Sequence, residues 1–273
     1  LGYFVEVEPR VKIYVEDVGS GEPIVLIHGW PVNHQMFEYQ TSMLPKYGYR
    51  CISIDIRGFG QSDKPWYGYS YDRLSDDVRT VIDALQLERV RLIGFSVGGA
   101  IAIRYMARHS GRKVAQLILL GAASPSFTKR PDFPYGNTVN DVDALIEQTT
   151  VNRPQMIEDF GQKFFFSPIT ESFRSWFQLL GLQASSHGTI AVAESLRDED
   201  LRQDLNKILV PTTLLHGVKD RICPYTLALA THKGIPGSVL VPFEKSGHGL
   251  FYDEREKCNE LILKALRGLQ TTK

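Results

Sequence analysis

The chain has 273 residues, enough to bury the core of one α/β domain carrying an insertion. Its 31 basic and 31 acidic residues cancel and no block of like charge stands out, which excludes a nucleic acid or an anionic membrane as the expected partner and leaves a small, near-neutral molecule. The three cysteines, Cys51, Cys223 and Cys258, form no CxxC pair and no ligand cluster with the seven histidines, so the expectation is free thiols in a reducing cytoplasm and no metal.

The first residues, LGYFVEVEPRVKIYVEDVG, alternate at period two from Tyr3 to Val7 and from Val11 to Val18, with Pro9-Arg10 between. That pattern predicts an antiparallel pair at a sheet edge rather than a signal segment. After Gly19-Ser20-Gly21 the strands become short and apolar throughout: Pro23 to Ile27, Cys51 to Ile54, Val90 to Ile93 and Ala115 to Leu120. Strands of this kind are buried on both faces of a sheet. Between two of them Leu74, Val78, Val81, Ile82 and Leu85 recur at helical spacing behind the capping candidates Ser70 and Asp72. Such alternation predicts a mostly parallel sheet of about eight strands with helices on both faces.

From about Ser124 to Asp204 the strand signature is missing, and helical fragments such as Val142 to Ile146 and the aromatic run Phe164-Phe165-Phe166 take its place. This reads as a helical insertion, 124–204, set into a core made of 1–123 and 205–273. Strands resume at Val210 to His216 and Ser238 to Pro242, and a final helix is expected from about Glu254 to Leu269. No apolar run approaches the roughly 18 residues needed to cross a bilayer.

One stretch carries chemistry. Gly94-Phe95-Ser96-Val97-Gly98 follows a buried strand and precedes the helix-forming run Ala100 to Met106, the context that the G-x-S-x-G turn requires. The flanking glycines allow a sharp, strained turn that lifts the Ser96 hydroxyl above the carboxyl end of the sheet. A serine hydroxyl is protonated at neutral pH and needs a base within hydrogen-bond reach. Of the seven histidines, His248 stands in the glycine-flanked loop Lys245 to Gly249, after a strand and before the last helix, and is the candidate base. His109 and His232 read as helix-end residues, His34 and His187 as exposed, and His216 as a satisfied buried imidazole. The base needs an anion to fix its tautomer, and Asp220, directly after a strand end, lies on the same rim as Ser96. Asp253 and Glu254 read as complements to a helix dipole, and Asp198, Glu199 and Asp200 as a solvated cluster.

The order Ser96, Asp220, His248, with His28-Gly29-Trp30-Pro31 after the third strand and Asp55-Ile56-Arg57-Gly58-Phe59-Gly60-Gln61-Ser62-Asp63 after the fourth, resembles the α/β-hydrolase superfamily over essentially the whole length. More narrowly it resembles carboxylesterases and cofactor-free haloperoxidase-like perhydrolases. The resemblance implies an oxyanion hole made by the backbone N–H groups of Trp30 and Val97, with His28 and Arg57 supporting that loop. It also implies a helical cap at 124–204, no cofactor, and a peroxide contact at the Trp30 carbonyl whose direction Pro31 fixes. Trp30, Phe164, Trp176 and Phe177, with Phe165, Phe166, Leu179 and Leu180 near them, are the candidates for an apolar substrate pocket. The activity so implied is hydrolysis of small to medium carboxylic esters, with perhydrolysis beside it. Lactone or amide hydrolysis, C–C bond hydrolysis and a triad-bearing small-molecule receptor are the rivals that a substrate panel and the turnover number separate.

Overall fold

The computed structural model describes residues 1–268. Its eight strands are β1 (Gly2–Glu8), β2 (Val11–Gly19), β3 (Glu22–Ile27), β4 (Tyr49–Ile54), β5 (Val90–Phe95), β6 (Val114–Leu120), β7 (Thr212–Gly217) and β8 (Val239–Phe243). They form one sheet in the order β1-β2-β4-β3-β5-β6-β7-β8. β1 and β2 run antiparallel at one edge, β2 is antiparallel to β4, and every later pairing is parallel. The difference in composition between the two regions has a plain cause. The edge pair alternates because one of its faces meets solvent, whereas all six residues of β5 are buried, as helices on both faces require.

Nine helices among the described residues complete the chain: α1 (Glu38–Thr41), α2 (Tyr71–Ala84), α3 (Val97–Arg108), α4 (Val139–Gly161), α5 (Glu171–Leu182), α6 (Ser186–Asp198), α7 (Tyr225–Gly234), α8 (Leu250–Asp253) and α9 (Arg255–Gly268). α2 starts at Ser70, whose side chain accepts the Arg73 N–H, and turns Leu74, Val78, Val81 and Ile82 inward. It is tied to α3 by Arg104 on Asp72 at 2.6 Å and Arg108 on Asp76 at 2.8 Å. The last helical stretch is split into α8 and α9 at Glu254, and the expected end at Leu269 lies outside the described residues.

α4, α5 and α6 occupy the stretch between β6 and β7. α4 opens with a capping box in which Thr138 and Asp141 satisfy each other's backbone N–H groups, and it breaks at Asn152 just before Pro154, which cannot continue the hydrogen-bond ladder. A small bridge, Arg130 to Phe133, precedes it. The strand order reverses at β3 and β5, since β4 lies on one side of β3 and β5 on the other. A crevice therefore opens at the carboxyl ends of these two neighbouring strands, where open α/β sheets hold ligands.

Candidate active site

Ser96 sits in that crevice. β5 ends at Phe95, α3 begins at Val97, and the serine between them has φ 54° and ψ −119°, a region that side-chain-bearing residues rarely occupy. The turn closes only because its neighbours are small. A Cβ at Gly94 would lie 2.7 Å from Gly99 Cα, and one at Gly98 would run into the Ile27 carbonyl oxygen. The Ser96 carbonyl accepts the N–H groups of Gly99 and Ala100, so the strained residue is anchored to the helix it starts.

Across the rim, the loop after β7 carries Asp220 and the loop after β8 carries His248. Both side chains are buried, and His248 Nδ1 meets Asp220 Oδ2 at 2.7 Å. The other carboxylate oxygen accepts the N–H groups of Ile222 and Cys223, each at 2.8 Å. Burial works to raise the Asp220 pKa, but the facing imidazoles of His248 and His216 and their hydrogen bonds outweigh it and hold the carboxyl well below the usual carboxylate range. With Asp220 ionised, His248 carries its proton on Nδ1 and presents Nε2 as an acceptor; that nitrogen is buried and has no hydrogen-bond partner among the described residues. Phe95 and Phe164 clasp the imidazole, with ring centroids 4.7 and 4.8 Å away. His216 is indeed a satisfied imidazole, bonded to the Cys223 carbonyl at 2.7 Å.

The loop after β3 brings Trp30 to the same crevice. His28 accepts the Ile56 N–H at Nε2 and donates from Nδ1 to the Gly29 carbonyl, so it is neutral and braces the loop; burial lowers its pKa accordingly. The Trp30 indole donates to the Thr189 carbonyl of α6 at 2.9 Å, and the Trp30–Pro31 peptide is cis. No hydrogen bond from the main-chain N–H of Trp30 or of Val97 forms among the described residues. Val97 is the first residue of α3, where the helix has no partner to offer its N–H. Two free amides and a helix N-terminus beside Ser96 are suited to hold an oxyanion.

Several expected roles change. Arg57 does not brace the Trp30 loop: its guanidinium is bidentate to Asp77 at 2.7 Å and reaches Glu8, tying α2 to the sheet edge. His34 is buried rather than exposed, bonded to Asp55 at 2.8 Å. Glu199 is no free surface charge, since it accepts the Tyr71 N–H at the start of α2. Asp253 lies at the end of α8, not at a helix start, and accepts the N–H groups of Gly247, Phe166 and Ser167. It thereby fastens the His248 loop to the stretch between α4 and α5.

The pocket differs most. A narrow apolar pocket at Ser96 is lined by Trp30, Phe127, Val142, Leu145, Phe160 and Ile222, among others. Phe164 and Phe177 line a separate pocket next to Pro31, which shares with the first only Phe160, and Phe160 stands edge-on to Trp30 at 4.9 Å. Trp176 lines neither and packs on Phe173, while Phe166 and Leu179 are exposed. Of the lining residues not expected from the sequence, Ile222 is within reach, two positions from Asp220. Val142 and Leu145 were legible only as one face of a helix. Cys51, Cys223 and Cys258 are free and buried; burial pushes the Cys223 thiol well up, with a hydrogen bond from Ser96 opposing it.

A family model for the alpha/beta hydrolase fold matches residues 22–255. The chain belongs to the α/β-hydrolase family. This hydrolase is 55% identical over 262 residues to the AB hydrolase superfamily protein YisY of Bacillus subtilis, covering 96% of the chain and 98% of the relative. Among solved structures it is similar to an esterase from Exiguobacterium antarcticum, with a TM-score of 0.96 and 49% identity over 98% of this chain and 100% of that one. A bromoperoxidase from Bacillus anthracis is similar at a TM-score of 0.94 and 32% identity, again over 98% and 100%. The hydrolase offers no group of three or more metal-ligating side chains among the described residues, and no described helix is long and apolar enough to cross a membrane.

Proposed function

We propose that this hydrolase is a serine carboxylesterase for small to medium carboxylic esters, with 124–204 acting as a cap over a core of 1–123 and 205–273. The reading rests on one observation: a serine at φ 54° between strand and helix shares its rim with a buried histidine that Asp220 holds at 2.7 Å. Ser96 Oγ attacks the ester carbonyl while His248 Nε2 takes its proton, and the carbonyl electron pair moves onto oxygen, where the N–H groups of Trp30 and Val97 receive it. Collapse of this intermediate expels the alkoxide, which leaves as the alcohol with the proton from His248. Water then attacks the acyl-serine, His248 takes its proton, and the acid departs as Ser96 is restored. Asp220 stabilises the imidazolium in both halves.

The test is steady-state hydrolysis of short and medium p-nitrophenyl esters. Wild type is expected to turn over many times and Ser96→Ala not at all. Equal turnover by the two proteins, or none by folded wild type, would overturn the reading.

Hydrogen peroxide in place of water would yield a peracid from the same acyl-serine. Pro31 beside Trp30 and the likeness to a bromoperoxidase favour this second activity. Pro31→Leu is expected to lower the ratio of perhydrolysis to hydrolysis, read as peracid and acid formed from one ester; an unchanged ratio removes Pro31 from the account.

A further inference from the structure

The cavity above Ser96 has an outer neighbour. A surface-facing hollow shares Phe127, Val142, Leu145, Phe160 and Ile222 with it, so the two adjoin across this ring of apolar side chains. Beyond that ring the hollow is lined by the exposed side chains of Lys163 and Arg221, with Asp141 at its edge. Neither cation has an ion pair among the described residues. Asp141 is committed to Thr138, accepting its backbone N–H and its hydroxyl at 2.7 Å each. Those bonds, and then Lys129 and Lys163, keep its carboxyl below the usual range. Two cations therefore face one already occupied carboxylate.

Both cations are mounted on fixed backbone. Arg221 follows Asp220 in the loop that Asp220 itself pins through the N–H groups of Ile222 and Cys223, and Asn137 bonds the Ile222 carbonyl at 3.0 Å. Lys163 lies in the turn just after α4, its N–H on the Phe160 carbonyl. A substrate whose ester reaches Ser96 and whose chain crosses the apolar ring brings its far end into the hollow that these two side chains line. Resting on the esterase reading above, we propose that Arg221 and Lys163 select esters bearing an anionic group at the end remote from the scissile bond, of which half-esters of medium-chain dicarboxylic acids are the simplest.

The inference is tested with the methyl half-ester of adipic acid against its neutral dimethyl ester, and with 6-acetoxyhexanoate to place the carboxylate on the alcohol arm. Wild type is expected to favour at least one anionic ester through KM. Arg221→Gln/Lys163→Gln should lower the ratio of kcat/KM for anionic over neutral ester about five- to tenfold, and 0.5 M salt should do much of the same in wild type. A ratio that the double substitution leaves unchanged overturns the inference while the esterase reading stands. If wild type hydrolyses none of these esters, binding decides. Calorimetry of the half-ester with Ser96→Ala and with Ser96→Ala/Arg221→Gln/Lys163→Gln should then show Kd rising by the same factor, and equal values, or no binding to either, overturn it.

Discussion

Phe160 shows how one side chain sets the shape of a site. It lines the cavity over Ser96, the cavity beside Pro31 and the outer hollow, and it is held edge-on against Trp30. Phe160→Ala is expected to join the pocket at Ser96 and the pocket beside Pro31 into one. It should raise kcat/KM for decanoyl over butyryl p-nitrophenyl ester by about fivefold or more, since each added methylene that finds an apolar wall contributes about 1 kcal/mol. The same truncation costs about 3–5 kcal/mol of stability. A chain-length profile that does not move in the folded variant would show that another residue parts the cavities. Asp220 makes the complementary point about charge. Asp220→Asn keeps the volume but lets His248 adopt the other tautomer, so kcat should fall by roughly 10⁴-fold with little change in KM, measured on the same esters.

At the scale of elements, the site depends on how the His248 loop is fastened. That loop is held by the Asp253 carboxylate on Gly247, Phe166 and Ser167, and by the Gly249 N–H on the Phe164 carbonyl at 2.7 Å. Burial raises the Asp253 pKa, and the hydrogen bonds from Phe166, Gly247 and Ser167 work against that rise. Asp253→Ala leaves three amides without their acceptor and is expected to destabilise the protein by about 2 kcal/mol and to slow kcat about tenfold, because His248 loses its fixed position. Urea unfolding and ester turnover measured together check this; Asp253→Asn, which keeps one acceptor oxygen, should fall between. A loss of stability with unaltered kcat would mean that the loop holds His248 without Asp253. The sequence placed this aspartate beside a helix and so suggested a dipole role. Its real partners lie up to 87 positions away, which no local pattern carries.

For the whole molecule, two buried carboxylates contribute to behaviour in acid. Asp220 and Asp55 both sit below the usual carboxylate range: burial opposes this, but His248 and His216 outweigh it for the first, and His34 with His28 for the second. A carboxyl depressed in the folded state contributes stability that is present above its unfolded pKa of about 3.9 and is lost as pH falls through the folded value. Asp55→Asn should therefore be clearly less stable than wild type at neutral pH, and the gap should narrow as pH drops below about 4. Urea midpoints across that range measure it, and a gap constant into acid would contradict the depressed Asp55. The sequence alone determined the sheet, because period-two alternation and continuous apolar runs record directly whether one or both faces of a strand are buried. It also placed Ser96, Asp220 and His248 on one rim, because each stands in a short loop at a strand's carboxyl end, and a parallel sheet brings those ends to one side. What only the tertiary structure decided is the space above that rim. Helix periodicity says that Val142, Leu145, Phe160 and Trp176 have an inward face, but which of those faces closes over Ser96 and which packs on another helix depends on the angles at which α4, α5 and α6 lie against the core. Those angles are set by contacts such as Trp30 on Thr189 and Asp253 on Phe166, between residues far apart in the chain.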